Sequence, residues 1–319
     1  SFAKELLFSI MESSAQTDIL HKRFQGCIIG GAIGDAWGSG YENVKGDNVT
    51  TTFYLGGKKT PVYSWAITDD TQLTLATCEA IAENTIITPE ILANKFVQYY
   101  KRKKLSGLGA STLKALRELE VGGHWSLVGR TGEYAAGNGA AMRIAPFAFK
   151  KAVSREEIRD FCRITHRNDE AYTGALAVVL AIRAIIHNVW TDDMNLLDII
   201  ISDLPDTRTR DRLMEINQLH PNSITEVAKL GTSGYAPDSI PLAIFAASQI
   251  KKTSFESILS EVIAAGGDTD TNASLTGQIA GSFLTLEQLP PNLMEKLMRL
   301  DAFDWIEGVV NRASFQLNN

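Results

Sequence analysis

Gly26, Gly30, Gly34 and Gly38 recur at every fourth position, and this spacing restricts the fold more than any other feature of the sequence. Residues four apart lie on one face of an α-helix. A glycine inside a helix costs about 1 kcal/mol relative to alanine, and the isoleucines between these glycines argue against a flexible loop. Four glycines on one face therefore predict a central helix of a bundle that another backbone approaches closely.

Helical signals continue through the rest of the chain. Thr88 and Pro89 form a helix start, Ser154 and Glu157 form a capping box, and residues 171–186 have the composition of a buried helix. No linker rich in glycine, proline or serine divides the chain, and no internal repeat is evident. We therefore predict one compact all-α domain.

Two segments depart from this pattern. A short strand is indicated only at residues 49–54, where threonines alternate loosely with apolar residues. Residues 2–11 form a separate amphipathic segment, which we expect to end at Ser13 and Ser14 before the chain becomes helical again near Thr17.

Composition excludes several classes of function. The chain has 319 residues and a formal net charge of -6, and its one basic run, residues 101–104, is typical of a solvated helix end. We therefore expect no nucleic-acid partner. Cys27, Cys78 and Cys162 lack metal-ligand spacing and are predicted to be buried, reduced thiols. No signal peptide or membrane span is evident, which predicts a cytoplasmic protein without a membrane partner.

Two acidic clusters almost 200 residues apart share one pattern. Thr68-Asp-Asp-Thr71 precedes a helix predicted over residues 72–81, and Gly266-Gly-Asp-Thr-Asp-Thr271 precedes one predicted over 272–284. Aspartate and threonine are common helix caps, because they accept hydrogen bonds from the unpaired N–H groups of the first turn. Each cluster taken alone is therefore explained by capping.

Together the clusters are better explained by metal binding. Four carboxylates, from Asp69, Asp70, Asp268 and Asp270, would repel one another strongly without cations. Two divalent ions would balance their charge and could hold a water nucleophile and orient substrate oxygens. Carboxylate and hydroxyl oxygens, with no histidine or cysteine, favour Mg²⁺ or Mn²⁺ over Zn²⁺.

Two other classes of all-helical two-metal enzyme do not fit. Isoprenoid synthases need aspartates at positions i, i+1 and i+4, whereas Leu73 follows Asp70 at the third position and Asp268 and Asp270 have a different spacing. HD-type phosphohydrolases need a histidine followed by an aspartate, and none of the five histidines has that neighbour.

Four segments in this order resemble the signature of the ADP-ribosylglycohydrolase family, which includes the dinitrogenase-reductase-activating glycohydrolases. They are residues 23–38 with Glu42, residues 68–71, residues 137–143 and residues 266–271. Each motif is weak alone, but the combination is specific. The resemblance covers roughly residues 20 to 290.

The resemblance implies an all-α fold with two divalent ions, Mg²⁺ or Mn²⁺, as cofactors. Residues that match the family's metal ligands are Thr68, Asp69, Asp70, Asp268, Asp270 and Thr271. The predicted catalytic residues are Glu42, Asp69 and Asp268, and the family match gives Glu42 a role in acid/base chemistry or gating. We expect Asp35 to support the metal ligands or the helix packing without binding a metal itself.

The same resemblance indicates residues that bind the nucleotide sugar. Gly137, Asn138 and Gly139 could present backbone N–H groups to a diphosphate, although such a segment is also an ordinary turn. His166 matches a position near ADP-ribose, and a buried structural histidine is the alternative. Tyr235 looks like the tyrosine through which the family contacts ADP-ribose.

We therefore predict a hydrolase that cleaves the bond at ribose C1″ of an ADP-ribosylated protein. Arginine is the expected acceptor, because the chain looks most similar to bacterial arginine-directed members. Serine and O-acetylated free ADP-ribose stay open. The alternative is an immunity or inhibitor protein that binds a cognate ADP-ribosyltransferase through an N-terminal extension, residues 1–16, ahead of a catalytic-type domain at residues 17–319.

Overall fold

A computed structural model describes the backbone of residues 2–42 and 64–317, and the side chains of residues 17–42 and 64–317. Within those ranges the chain forms fifteen α-helices and five short 3₁₀ helices, with isolated bridges in place of strands. The predicted all-α fold is therefore confirmed. The strand predicted at residues 49–54 lies outside the described residues.

The helices begin and end as follows. They are α1 Phe2–Ser39, α2 Asp69–Glu83, α3 Pro89–Lys101, α4 Ala110–Glu120, α5 Trp125–Val128, α6 Arg155–Arg163, α7 Asp169–Ile186, α8 Leu196–Ile201, α9 Arg208–Leu219, α10 Ile224–Ala228, α11 Ala236–Ser248, α12 Phe255–Ala264, α13 Thr269–Phe283, α14 Pro291–Met298 and α15 Phe303–Gln316. The 3₁₀ helices are Glu133–Ala135, Asn138–Arg143, Ala145–Phe149, Gln249–Lys251 and Leu286–Gln288.

The helix starts follow the chemistry read from the sequence. The Thr88 hydroxyl caps α3 by accepting a hydrogen bond from the Ile91 N–H at 3.3 Å. Ser154 and Glu157 form the predicted capping box at α6. The basic run at residues 101–104 begins where α3 ends, as expected for a solvated helix end.

The glycine face of α1 packs directly against the backbone of α13. A Cβ atom added at Gly26 would lie 2.6 Å from the Gly281 carbonyl oxygen, and one added at Gly30 would lie 2.5 Å from the Gly277 oxygen. Real Cβ atoms essentially never come within 3.0 Å of another heavy atom. Any side chain at these positions would force the two helices apart. The prediction of a central helix is confirmed.

The predicted interruption near Ser13 was wrong. Helix α1 is continuous from Phe2 to Ser39, so the N-terminal segment and the glycine helix are one element. Serine is only modestly unfavourable inside a helix, and two adjacent serines do not remove a backbone donor as proline would. The composition change at these serines therefore does not end the helix.

Around the α1–α13 pair, the core is completed by α2, α7 and α11. Cys27, Cys78 and Cys162 are buried free thiols, as predicted. Among the described helices, none combines the length and the apolar character that crossing a membrane requires.

Candidate metal centre and active-site cleft

Three helix ends meet at one point of the molecule. The close approach of α1 and α13 brings Gly38 to the start of α13, where the Thr269 hydroxyl donates to the Gly38 carbonyl oxygen at 2.8 Å. Helix α2 is held there by Asp35 of α1, which accepts hydrogen bonds from the Thr68 N–H at 2.9 Å and from the Thr71 N–H at 3.1 Å. The packing of the glycine helix therefore positions both acidic clusters.

The two acidic clusters are in direct contact. The Thr271 hydroxyl donates to Asp70 Oδ2 at 3.1 Å, across 201 residues of sequence. Carboxylate oxygens of Asp35, Asp70 and Asp270 lie within 4.8 Å of one another, and so do those of Glu42, Asp268 and Asp270. The acidic residues that sequence reasoning grouped from two distant motifs form one centre.

Burial and mutual repulsion raise the pKa values of these carboxyl groups above their ordinary range. Burial and the charge of Asp35 raise the pKa of Asp69 to about 8. Burial and the charge of Asp268 raise the pKa of Asp270 to about 9. The pKa of Asp70 is raised well above its usual range by burial and then by Asp270. Such a group is stable near neutral pH when protons or cations offset its charge.

The residues fit divalent cations. Oδ1 of Asp70 is buried and has no hydrogen-bond partner among the described residues. An ionised oxygen in that state is strongly unfavourable unless it binds something outside the chain. Its neighbours supply only carboxylate and hydroxyl oxygens, the ligand set of hard ions such as Mg²⁺ and Mn²⁺. The acidic cluster could therefore hold metal ions.

Asp35 lies among the carboxylates but points its oxygens at α2. It accepts from the hydroxyl and N–H groups of both Thr68 and Thr71, and it is fully buried. Burial raises its pKa, and the hydrogen bonds from Thr71 and Thr68 oppose that rise. Asp35 thereby fixes the start of the helix that carries Asp69 and Asp70, while one of its oxygens also lies within 4.8 Å of oxygens of Asp70 and Asp270.

A cavity of about 320 Å³ opens above this centre. Its floor is acidic, formed by Glu42, Asp69, Asp268 and Asp270, and its walls contain backbone from several glycine segments. The volume is in the range of small-molecule sites. Residues that sequence reasoning missed in its lining include Gly107, Gly109, Ser111, Thr112, Arg130, Tyr134 and Gly234.

The sequence did contain a signal for part of this missed wall. Gly107 and Gly109 are separated by one residue between two helices, and Gly107 adopts a φ of +78°. A Cβ at Gly107 would lie 3.4 Å from Asp69 Oδ1. Glycine at this position permits a left-handed backbone beside a predicted metal ligand. No comparable signal marks Arg130 or Tyr134.

Asn138 lines the cavity, and its side chain also contacts the acidic centre. Its side-chain amide donates to Asp268 Oδ2 at 2.7 Å and to the Ser239 hydroxyl at 3.0 Å, and its own N–H donates to the Gly234 carbonyl oxygen at 3.0 Å. This polar network orients Asp268. Of the predicted segment, Gly137 and Gly139 contribute backbone to the cavity wall, while the side chain of Asn138 supports a carboxylate.

His166 lines the cavity and is 4% exposed. Burial, followed by the positive charges of Arg143 and Arg130, lowers its pKa to about 3, so the ring is neutral at physiological pH. A Cβ at Gly139 would lie 3.3 Å from His166 Nε2. The histidine ring and the glycine segment thus form one wall of the cavity.

Three predicted site residues, Tyr235, Thr68 and Asp70, lie beside the cavity without lining it. Tyr235 precedes α11 and forms a backbone bridge with Gly137, while its neighbour Gly234 faces the cavity. Thr68 lies behind Asp69, with its hydroxyl donating to Asp35 Oδ1 at 2.8 Å. Asp70 is buried next to the floor, and the remaining predicted metal ligands line the cavity: Asp69, Asp268, Asp270 and Thr271.

A larger cavity of about 600 Å³ lies away from this centre, between Trp190, His220 and Lys251. The ammonium of Lys251 is already paired there with Asp192 at 3.1 Å, and the described residues that line this cavity include no cluster of carboxylates that could hold a cation. Chemistry, rather than size, therefore identifies the smaller, acidic cavity as the candidate active site.

Comparisons with known proteins lead to the same family as the sequence motifs. A family model described as ADP-ribosylglycohydrolase matches residues 16–318. The protein ADP-ribosylhydrolase ARH3 of Bos taurus is 27% identical over 347 aligned residues, which cover 91% of this chain and 92% of that protein. ADP-ribosylarginine hydrolase Tri1 of Pseudomonas putida is 25% identical, covering 86% of this chain and 74% of that protein.

A solved structure has the same fold. A chain of an ADP-ribosylglycohydrolase-related protein complex superimposes on this chain with a TM-score of 0.71 and is 22% identical to it in sequence. The match covers 95% of this chain and 100% of that chain. At this identity the likeness shows the fold alone.

Proposed function

This chain belongs to the ADP-ribosylglycohydrolase family and is an enzyme of that class, and we propose that it removes ADP-ribose from modified protein side chains, with arginine as the acceptor. The observation that carries the proposal is the convergence of three helix ends, which places two acidic clusters and Glu42 beneath a cavity walled by glycine backbone. The similarity to an ADP-ribosylarginine hydrolase supports arginine as the acceptor.

The ligands of two divalent ions would be Thr68, Asp69, Asp70, Asp268, Asp270 and Thr271. The unpaired Oδ1 of Asp70 supports this assignment. When bound, such ions supply positive charge that offsets the carboxylates and polarises substrate oxygen atoms. Asn138 and Asp35 would keep Asp268 and the start of α2 in place, so that the distal ribose is always presented in one orientation.

Glu42 is the residue that we propose for proton transfer. Its carboxylate lines the cavity, within 4.8 Å of oxygens of Asp268 and Asp270. Partial burial and the charge of Asp268 raise its pKa above the usual range of a glutamate, which is the direction that suits a proton donor. Departure of a guanidine from C1″ requires a proton on the leaving nitrogen. Glu42 would donate that proton and then accept one from the attacking water.

The test is release of free ADP-ribose from arginine-ADP-ribosylated protein, measured with Mg²⁺ or Mn²⁺ and with a chelator. We expect release that depends on the metal and that is lost in Asp70→Asn and Asp268→Asn. Asp192→Asn is the matched control, because this carboxylate is exposed and remote from the cleft. Full turnover by the Asp70 or Asp268 variant would show that the metal mechanism is wrong.

Parallel assays with different substrates show which ADP-ribose linkage the enzyme cleaves. Serine-linked ADP-ribose and O-acetyl-ADP-ribose are tested beside the arginine-linked protein at equal concentration. Release from the arginine linkage alone supports the proposal. Release from another linkage alone would keep the enzyme class and overturn the choice of arginine.

A second candidate function concerns the N-terminal extension, residues 1–16. Helix α1 starts at Phe2, ahead of residue 16, where the family match begins. We propose that this part of the helix binds a protein partner, with an ADP-ribosyltransferase as the partner class. Deleting residues 1–14 should weaken binding to that partner and leave hydrolysis intact. Equal binding by the full and the shortened chain would refute this role.

A further inference from the structure

Two buried polar side chains lie behind His166 and form a continuous line of hydrogen bonds with it. Nη2 of Arg143 donates to the Thr165 hydroxyl oxygen at 2.8 Å, and that oxygen lies 2.7 Å from His166 Nδ1. Arg143 is 2% exposed, Thr165 is fully buried, and His166 is 4% exposed. Water therefore has little access to these contacts, and each hydrogen must be donated within the line.

The direction of the hydrogen bonds follows from the donors available. A guanidinium can only donate, so the Thr165 oxygen accepts from Arg143. In the described part of the chain, the other polar contact of this hydroxyl is His166 Nδ1. The Thr165 hydrogen must therefore go to Nδ1. The opposite arrangement, with Nδ1–H donating to Thr165, would leave a buried hydroxyl hydrogen without an acceptor, which is costly.

In a neutral histidine, one ring nitrogen carries a proton and the other does not. When Nδ1 accepts a hydrogen bond, the proton is therefore on Nε2. The ring is neutral here, because burial and the charges of Arg143 and Arg130 lower its pKa to about 3. His166 lines the cavity, and its Nε2 lies beside the glycine segment, 3.5 Å and 3.3 Å from the places where Cβ atoms of Gly137 and Gly139 would lie. It is therefore a donor to whatever lies against those glycines.

The backbone also holds the ring in place. The Arg130 N–H donates to the Thr165 carbonyl oxygen at 3.0 Å, and the Arg167 N–H donates to the Arg130 carbonyl oxygen at 2.8 Å. These bonds flank His166 on both sides. Arg143 also donates to the Gly139 carbonyl oxygen. One guanidinium thus joins the histidine and the glycine walls of the cavity.

We propose that Arg143 and Thr165 are positioning residues that fix His166 in its Nε2–H tautomer, which donates to an anionic oxygen of ADP-ribose held against Gly137 and Gly139. The inference rests on the proposed function in assuming that the cleft takes ADP-ribose. The charge of Arg143 supports an anionic ligand, because among the described residues the hydrogen bonds of this buried guanidinium go to carbonyl and hydroxyl oxygens and not to a carboxylate. A neutral donor recognises such an oxygen across the physiological pH range.

The first measurement is nitrogen NMR of the histidine side chains in the ligand-free protein. The chain has five histidines, so His166 is assigned by the resonances lost in His166→Gln. We expect Nδ1 in the range of an unprotonated imidazole nitrogen and Nε2 in that of a protonated one, unchanged from pH 5 to 8. A protonated Nδ1 would overturn the inference, whether or not the protein hydrolyses anything.

The second measurement is the affinity for ADP-ribose of matched variants. Thr165→Val keeps the shape and removes the hydroxyl, while Thr165→Ser keeps the hydroxyl. We expect Thr165→Val to bind about 2- to 10-fold more weakly, the range for one lost hydrogen bond, with a mixture of tautomers by NMR. Thr165→Ser should keep the wild-type tautomer and affinity, so it remains informative if the valine variant does not fold.

A histidine pair tests which ring nitrogen contacts the ligand. The glutamine amide nitrogen reaches the place of Nε2, and the asparagine nitrogen that of Nδ1. We expect His166→Gln to bind ADP-ribose more tightly than His166→Asn, and the reverse order would overturn the inference. If the wild-type protein does not bind ADP-ribose but shows the Nε2–H tautomer, the proposed function fails while the assigned hydrogen-bond line stands.

Discussion

Replacing Gly38 by alanine should damage the metal centre without touching any of its ligands. Gly38 is buried where α1 meets the start of α13, and an added Cβ would lie 2.7 Å from the Asp270 Cα and closer still to the Thr269 carbonyl oxygen. Both atoms belong to backbone and cannot rotate away. The start of α13, with Asp268 and Asp270, must therefore move.

The size of the effect follows from two opposing contributions. Alanine is favoured over glycine in a helix by about 1 kcal/mol. Overpacking a buried contact costs about 1–3 kcal/mol, and more where the neighbours cannot shift. Because backbone meets backbone here, we expect the free energy of unfolding to fall by about 2 kcal/mol. Displaced ligands should weaken metal affinity by about 10- to 100-fold, as losses of supporting contacts do.

Two control substitutions separate stability from site geometry. Gly26→Ala overlaps the same interface at its far end, where the added Cβ would lie 2.6 Å from the Gly281 oxygen. It should cost similar stability and leave metal affinity near that of the wild type. Gly308→Ala places a Cβ 3.5 Å from Arg312 Nη1, an ordinary contact within α15. It should raise the free energy of unfolding by up to about 1 kcal/mol.

The assays are urea unfolding with a chelator present and calorimetric titration with Mn²⁺ at a temperature where all variants are folded. The reasoning is refuted if Gly38→Ala is as stable as Gly308→Ala. It is also refuted if Gly38→Ala and Gly26→Ala bind Mn²⁺ equally well, because the position along the interface would then have no effect on the centre.

Three further predictions concern the cleft. Mn²⁺ or Mg²⁺ should raise the Tm of the wild type, since an ion that binds only the folded state adds about 2.7 kcal/mol to the free energy of unfolding at 100 times its Kd. Asp70→Asn should show no such rise, and an equal rise would contradict the ligand assignment. Glu42→Gln should slow release of ADP-ribose by about 10²- to 10⁴-fold with little change in ADP-ribose affinity, and wild-type turnover would exclude Glu42 as the proton donor. The pKa of His166 is lowered from 6.5 to about 3, so below pH 6.5 the unfolded chain binds a proton that the folded chain does not. This histidine should therefore lower the free energy of unfolding by up to about 1.4 kcal/mol for each pH unit between 6.5 and 3, and unfolding curves of the wild type and His166→Gln with equal pH slopes would refute it.

Much of the fold could be predicted because its strongest signals are local. Capping chemistry at Thr88 and Ser154 and the four-residue glycine spacing each identify a helix without knowledge of its neighbours. The partner of the glycine face was not predictable. Its counterpart on α13 comes from Gly277 and Gly281, which read in sequence as ordinary small residues of an apolar helix.

The parts of the site that come from short motifs of adjacent residues could be predicted. Single residues that tertiary packing brings to the site could be predicted less well. The two acidic clusters required a common centre because their charges are otherwise unexplained. Asn138 was predicted as a ligand contact, and only its distances to Asp268 and Ser239 reveal a residue turned toward the metal ligands. Arg130 and Tyr134 reach the cavity through tertiary packing, and their local sequence carries no mark of it.

The pairing of α1 with α13 also determines when this protein can become active during its synthesis. The hydrogen bond from Thr269 to Gly38 spans 231 residues, and contacts of such long range form late, because much of the chain must be ordered before they close. A nascent chain that has not yet released α13 from the ribosome presents bare glycine backbone on α1 and lacks Asp268 and Asp270 of the acidic centre. The two acidic clusters meet only when α13 packs on α1, so we expect the acidic centre to form among the last steps of folding.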